Sequence, residues 1–232
     1  MGVIEKDASR EHEWIRLAAI PARDVVLEGE LALPAGASGV VLFVHGSGSS
    51  RHSPRNRDVA RSLRARAGVA TLLFDLLTDG EEARDALTRT SRFDIDLLST
   101  RVRAATDWVR RLPETRALRI GYFGASTGAA AALLAASDPR EGVAAVVSRG
   151  GRPDLVAPER LARVTAPTLF VVGGEDRAVL EWNRGARAAM RAETGLDVIP
   201  GASHLFEEPG ALEDVACRSA DWFRRWLGPA RA

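Results

Sequence analysis

The stretch Leu118–Ala136, LRIGYFGASTGAAAALLAA, decides how this chain folds. It opens with an apolar run, Leu118–Phe123, of the kind that makes a strand buried on both faces. It closes with a small-residue segment, Thr127–Ala136, that reads as a helix. Between them lies Gly124-Ala125-Ser126-Thr127-Gly128, a G-x-S-x-G pattern. A sharp strand-to-helix turn needs residues without bulk at its flanks, which Gly124 and Gly128 supply. The serine is then held in a strained backbone with its hydroxyl above the sheet. The helix N-terminus beneath it aims amide groups at developing negative charge. The five residues alone also fit a plain tight turn; strand, turn and helix together favour a nucleophile.

Outward from this stretch, short apolar runs alternate with longer amphipathic ones. Val40–His45, Val69–Leu76, Val143–Val147 and Thr168–Val172 read as buried strands, and Asp197–Ile199 as a short last one. Helices are expected over Pro54–Ala67, Asp94–Leu112, Ala178–Ala192 and Leu212–Leu227. Ser53 is the expected N-cap of the first, with Pro54 at its first position. Ile95, Leu98, Val102, Ala105 and Val109 give the second its apolar face, and Pro113 stops it. Such alternation means an α/β fold with a mostly parallel central sheet and helices on both faces. Two opening runs, 13–20 and 24–33, have no helix between them and predict an antiparallel N-terminal hairpin. Residues 1–12 read as a loose tail and 13–232 as a single domain.

Composition narrows the function. The 232 residues are 46% hydrophobic and 27% charged, ordinary values for a folded protein. Lys plus Arg is 32 and Asp plus Glu is 31, a net charge of +1 that gives no field for nucleic acid. Lys6 is the only lysine, so chemistry needing a second one is closed. With Cys217 alone no intrachain disulfide forms, and four scattered histidines give no zinc spacing. No metal or other cofactor is expected. The opening residues lack a signal peptide's apolar core, and no apolar run reaches the ~18 residues of a membrane span. The expectation is a cytoplasmic protein with neither nucleic acid nor membrane as partner; the oligomeric state stays open.

A serine nucleophile needs a base at neutral pH. His204, in Pro200-Gly201-Ala202-Ser203-His204, is the only histidine after Ser126 and follows the last strand. The base needs an acid to hold its tautomer. Asp176 ends Gly173-Gly174-Glu175-Asp176 after the strand Thr168–Val172, and Glu175 competes with it by one residue of register. Serine, acid, then histidine is the order expected when all three sit beyond successive parallel strands. An oxyanion hole would take one backbone N–H from Thr127 and one from the turn His45-Gly46-Ser47-Gly48, at Ser47. The Gly-rich turn is not a phosphate loop, because Arg51 stands where no P-loop lysine follows. His45 lies too early to be the base and reads as structural.

With these residues in place the sequence resembles the α/β-hydrolase superfamily, and within it the small, capless dienelactone-hydrolase-like branch. The resemblance rests on VVLFVHGSGSS, GYFGASTG, APTLFVVGGED and VIPGASHLFEE. It implies an esterase or lactonase working through an acyl-enzyme, with Ser126 as nucleophile, Asp176 as acid and His204 as base. The dienelactone hydrolases proper carry cysteine at the nucleophile position, and Cys217 lies in the last helix. A general carboxylesterase therefore fits better than dienelactone turnover, with a small ester or lactone as substrate.

Only the 20 residues 148–167 separate two strands where larger relatives insert a lid, so no large lid is expected. Arg149, Arg51 and His52 could bind a carboxylate or phosphate of the substrate, or be solvated surface. Leu76, Leu77 and Phe206 line an acyl pocket or pack the core. Trp222, Phe223 and Trp226 read as core contacts of the final helix. A thioesterase, acyltransferase or perhydrolase would use the same triad, and a non-catalytic ligand-binding protein could share the fold.

Overall fold

Strands come first, because their apolar runs leave no other choice. In the computed structural model, which describes residues 13–228, the segments Glu13–Ala22 (β1), Val25–Pro34 (β2), Gly39–Val44 (β3) and Ala70–Phe74 (β4) are strands. So are Arg119–Ala125 (β5), Val143–Arg149 (β6), Thr168–Gly173 (β7) and Thr194–Ile199 (β8). Every residue of β3, β4 and β7 is buried, as strands covered on both faces require. All eight strands form one sheet in the order β1-β2-β4-β3-β5-β6-β7-β8. The pairs from β4 through β8 are parallel, and β1 and β2 add an antiparallel hairpin at one edge. The α/β-hydrolase fold expected from the motifs is the fold observed.

Helices cover the two faces. Pro54–Ala67 (α1) starts on Ser53, whose hydroxyl accepts the Asn56 N–H, and stops at left-handed Gly68. Asp79–Thr88 (α2) precedes Ile95–Arg111 (α3), which buries Leu98, Val102, Ala105 and Val109 on one stripe. Thr127–Ala136 (α4) is buried almost all round, which suits its alanines. Pro158–Leu161 (α5) is a single turn, Arg177–Ala189 (α6) follows β7, and Ala211–Leu227 (α7) closes the fold. Side chains of α3, α4 and α6 share one core cluster with β1 and β2. Side chains of α1 and α7 fill the other, where Phe223 is buried and Trp222 and Trp226 pack against its edge.

Two differences from the sequence reading matter. The last strand is six residues long, because β8 pairs with β7 from Thr194 onward. Residues 79–93, to which the apolar periodicity assigns no element, form α2 and a short 3-10 turn, Ser91–Phe93. The signal for α2 is a capping box: Thr78 Oγ1 accepts the Glu81 N–H, and the Glu81 carboxylate accepts the Thr78 N–H. The expected loose tail, 1–12, lies outside the described residues. Among the described residues no helix is long and apolar enough to cross a membrane.

Candidate active site

The carboxyl ends of the parallel strands bring several loops to one edge of the sheet. β5 runs straight into Ser126, whose φ of 50° and ψ of −122° are strained for an L-residue. Backbone bonds hold it there. The Ser126 N–H donates to the Arg149 carbonyl at 3.2 Å, and the Ser126 carbonyl accepts from the Arg152 N–H at 3.1 Å. The flanking glycines are a matter of space. A Cβ on Gly124 would stand 2.4 Å from the Ala129 Cα, and one on Gly128 would stand 2.2 Å from the Val44 carbonyl oxygen.

Asp176 stands at the N-cap of α6, yet its side chain makes no capping bond. Its Oδ2 lies 2.6 Å from Nδ1 of His204. His204, on the loop after β8, sets Nε2 3.3 Å from the Ser126 hydroxyl. Carboxylate, imidazole and hydroxyl thus form one hydrogen-bonded run, the order needed to move a proton off the serine. The structure brings Asp176 to His204; the Glu175 side chain has no bond to it. His45 is buried, with Nδ1 3.0 Å from the Gly46 carbonyl and Nε2 accepting the Leu76 N–H at 3.1 Å. It pins the turn after β3 to the end of β4, and burial pushes its imidazole below its ordinary pKa.

The turn and the elbow touch directly. The Ser47 N–H, expected to face an oxyanion, donates to the Thr127 hydroxyl at 2.9 Å. That donor is therefore occupied in the resting protein, and an oxyanion would have to share it or displace the hydroxyl.

Beside Ser126 opens a cavity of about 740 Å³, bounded by His204, Leu77, Arg55, Glu82 and Arg149. Leu76 and His52 line it too. No lid rises between β6 and β7, where residues 150–167 hold only a 3-10 turn, Pro153–Leu155, and α5. Instead α2 supplies one wall, with Glu82, and with Asp85 bonded to Arg92. Arg149 and Arg55 are basic residues of the same lining. Arg149 is 8% exposed, and burial together with the Arg55 charge pushes its guanidinium down to about 10.

Two candidate binding residues are placed elsewhere. Arg51 is not on the cavity: its guanidinium is bound to the Asp75 carboxylate and, at 2.5 Å, to Glu28. Those carboxylates neutralise it, because the pairing of β2 with β4 brings both beside the turn. Phe206 is also excluded. Its left-handed backbone, φ 56°, accompanies a ring buried in the α1–α7 core, and exposed Leu205 meets the cavity instead. Arg55, Glu82 and Leu205 are lining residues that no motif announces. Among the described residues no group of three His, Cys, Asp or Glu side chains could hold a metal ion.

Residues 27–228 match the dienelactone hydrolase family. A solved dienelactone hydrolase from Anabaena variabilis is 53% identical, with a TM-score of 0.89 over 93% of this chain and 99% of that one. A Mycobacterium tuberculosis protein that carries the provisional name of a phosphoribosyl transferase is 55% identical over 217 residues. The match covers 94% of this chain and 47% of that protein, so the chain spans about half the length of this relative. A Bradyrhizobium protein, named a probable 2-oxo-3-(5-oxofuran-2-ylidene)propanoate lactonase, is 28% identical over 71% of this chain and 73% of its own length.

Proposed function

Because the chain belongs to the dienelactone hydrolase family, and so is a hydrolase, we propose that it cleaves small carboxylic esters or lactones through an acyl-enzyme on Ser126. One observation carries this reading: the run from Asp176 through His204 to Ser126, at 2.6 and 3.3 Å, on the wall of an open cavity. His204 Nε2 takes the hydroxyl proton as the serine attacks the carbonyl carbon. Asp176 holds the Nδ1 proton and stabilises the imidazolium. The oxyanion faces the N–H groups of Thr127 and Ser47, the second drawn away from the Thr127 hydroxyl. Collapse expels the alcohol, which leaves with the proton from His204. Water, activated by the same imidazole, then releases the acid.

The lactonase name of the Bradyrhizobium relative supports including lactones. The open cavity without a lid supports small substrates, since each buried methylene of a long acyl chain would gain only about 0.8 kcal/mol even if fully covered. The test is a panel of p-nitrophenyl esters and lactones, with fluorophosphonate labelling. Activity should peak at roughly two to four acyl carbons, and the label should fall on Ser126. Ser126→Ala should lower kcat by several orders of magnitude and abolish labelling. Activity within about tenfold of wild type in that variant would remove Ser126 from the mechanism.

A further inference from the structure

Arg149 is a buried cation to which no carboxylate among the described residues is bonded. Its Nη1 reaches neither solvent nor any hydrogen-bond acceptor among the described residues. The charge that acts on it, besides its burial, is another cation, Arg55. Arg101 shows what this fold does with a structural buried arginine: 4% exposed, it donates to the Ala22 carbonyl and to the Glu81 carboxylate. A buried charge left unpaired is expensive, and such groups persist where a ligand completes them.

The surroundings say what that ligand is. Ser53, Pro54 and Arg55, the first turn of α1, line the same cavity as Arg149 and Ser126. α1 has 14 residues, and the positive end of its dipole adds potential to the two guanidiniums, while Ser53 holds the Asn56 and Arg57 N–H groups. Arg55 now rests on Glu207 at 3.0 Å, a pair exposed enough for an incoming anion to displace. The cavity is also lined by Glu82 and by Asp85, the latter bonded to Arg92. A carboxylate offers one charge and two coplanar oxygens, which a single guanidinium fork saturates. Two guanidiniums from two elements, in the field of a helix terminus, match a phosphate monoester, with three free oxygens and a charge near −2.

We propose that Arg149 and Arg55, in the positive field at the N-terminus of α1, form a subsite for a phosphate group, so that the substrates are phosphorylated esters or lactones. The proposal rests on the reading of Ser126 as nucleophile. The phosphate is held and not cleaved; the ester bond and water remain the only reactants.

The test is calorimetric titration of the full chain with inorganic phosphate and, separately, acetate. Alongside it, kcat/KM is compared for an acetyl ester bearing a phosphate and a neutral acetyl ester. Phosphate should bind the wild type at least about tenfold more tightly than acetate, and Arg149→Met should weaken it at least about tenfold. The preference for the phosphorylated ester should fall by a similar factor in the variant. Arg55→Gln, at a partly exposed position, should weaken phosphate binding even if Arg149→Met fails to fold. Phosphate that does not bind, binds both variants as it binds the wild type, or binds no better than acetate overturns the subsite. A chain that binds phosphate but hydrolyses no ester overturns the reading of Ser126, and the substrate claim with it.

Discussion

The Ser47 N–H and the Thr127 hydroxyl meet at 2.9 Å across 80 residues of chain. The bond ties the turn after β3 to the first residue of α4, the two segments that would surround an oxyanion. Thr127→Val keeps the shape and removes the acceptor. Stability should drop by about 1 kcal/mol, or about 2–4 °C in Tm. Because both N–H groups survive, kcat for p-nitrophenyl acetate should fall less than about tenfold. A loss of about two orders of magnitude in kcat with Tm unchanged would mean that the hydroxyl itself donates to the oxyanion.

Asp176 and Glu175 are adjacent in sequence but differ in their contacts. Only Asp176 reaches His204. Asp176→Asn should lower kcat by on the order of 10³–10⁴, because the amide favours the wrong imidazole tautomer. Glu175→Gln should leave it nearly unchanged. Steady-state kinetics on the two variants decide the matter, and the reverse pattern would transfer the acid to Glu175.

Arg51 belongs to the scaffold. It bridges Glu28 and buried Asp75, and its own N–H donates to Asp75 Oδ1 at 2.7 Å. Arg51→Met should reduce stability in urea by about 1–3 kcal/mol. It should not alter the ratio of kcat/KM between anionic and neutral esters. A changed ratio at wild-type stability would return Arg51 to the substrate.

His45 gives stability a pH dependence of known sign. Burial lowers its folded pKa, opposed by the Gly46 carbonyl and the Asp75 charge. Above the unfolded value of about 6.5, both states are neutral and the contribution is intact. As pH falls below 6.5 the unfolded chain gains a proton that the folded one resists, so stability declines until the folded pKa is passed. Thermal unfolding between pH 7 and 5 should show this decline, by at most about 1.4 kcal/mol per pH unit from this group. His45→Gln should flatten it; an unaltered slope would assign the titration elsewhere.

Most of the fold was legible because buried parallel strands announce themselves as unbroken apolar runs. Val40–His45 and Thr168–Val172 lie within a residue of the observed strands, and Ser53 caps α1 as its position before Pro54 implies. α2 escaped because only one of its ten residues, Asp85, is buried, which leaves no apolar period to read. The side chains of Asp176, His204 and Ser126 were legible as a chain order, each beyond its own strand. The fates of Arg51 and Phe206 were not. Arg51 is settled by Glu28, which arrives from another strand, and Phe206 by one backbone angle. Arg149 and Arg55 become a pair only when the end of β6 and the start of α1 share a wall.

The two glycines of the elbow divide the site into what can drift and what cannot. Position 126 lines the cavity, so a side chain of similar size can replace the serine without moving the frame. Positions 124 and 128 are wedged against the Ala129 Cα and the Val44 carbonyl, where even one methyl group has no room. Reactivity and architecture are thus written in neighbouring letters under separate constraints. A lineage carrying this turn is free to change the side chain at position 126 far more readily than to enlarge the residues on either side of it.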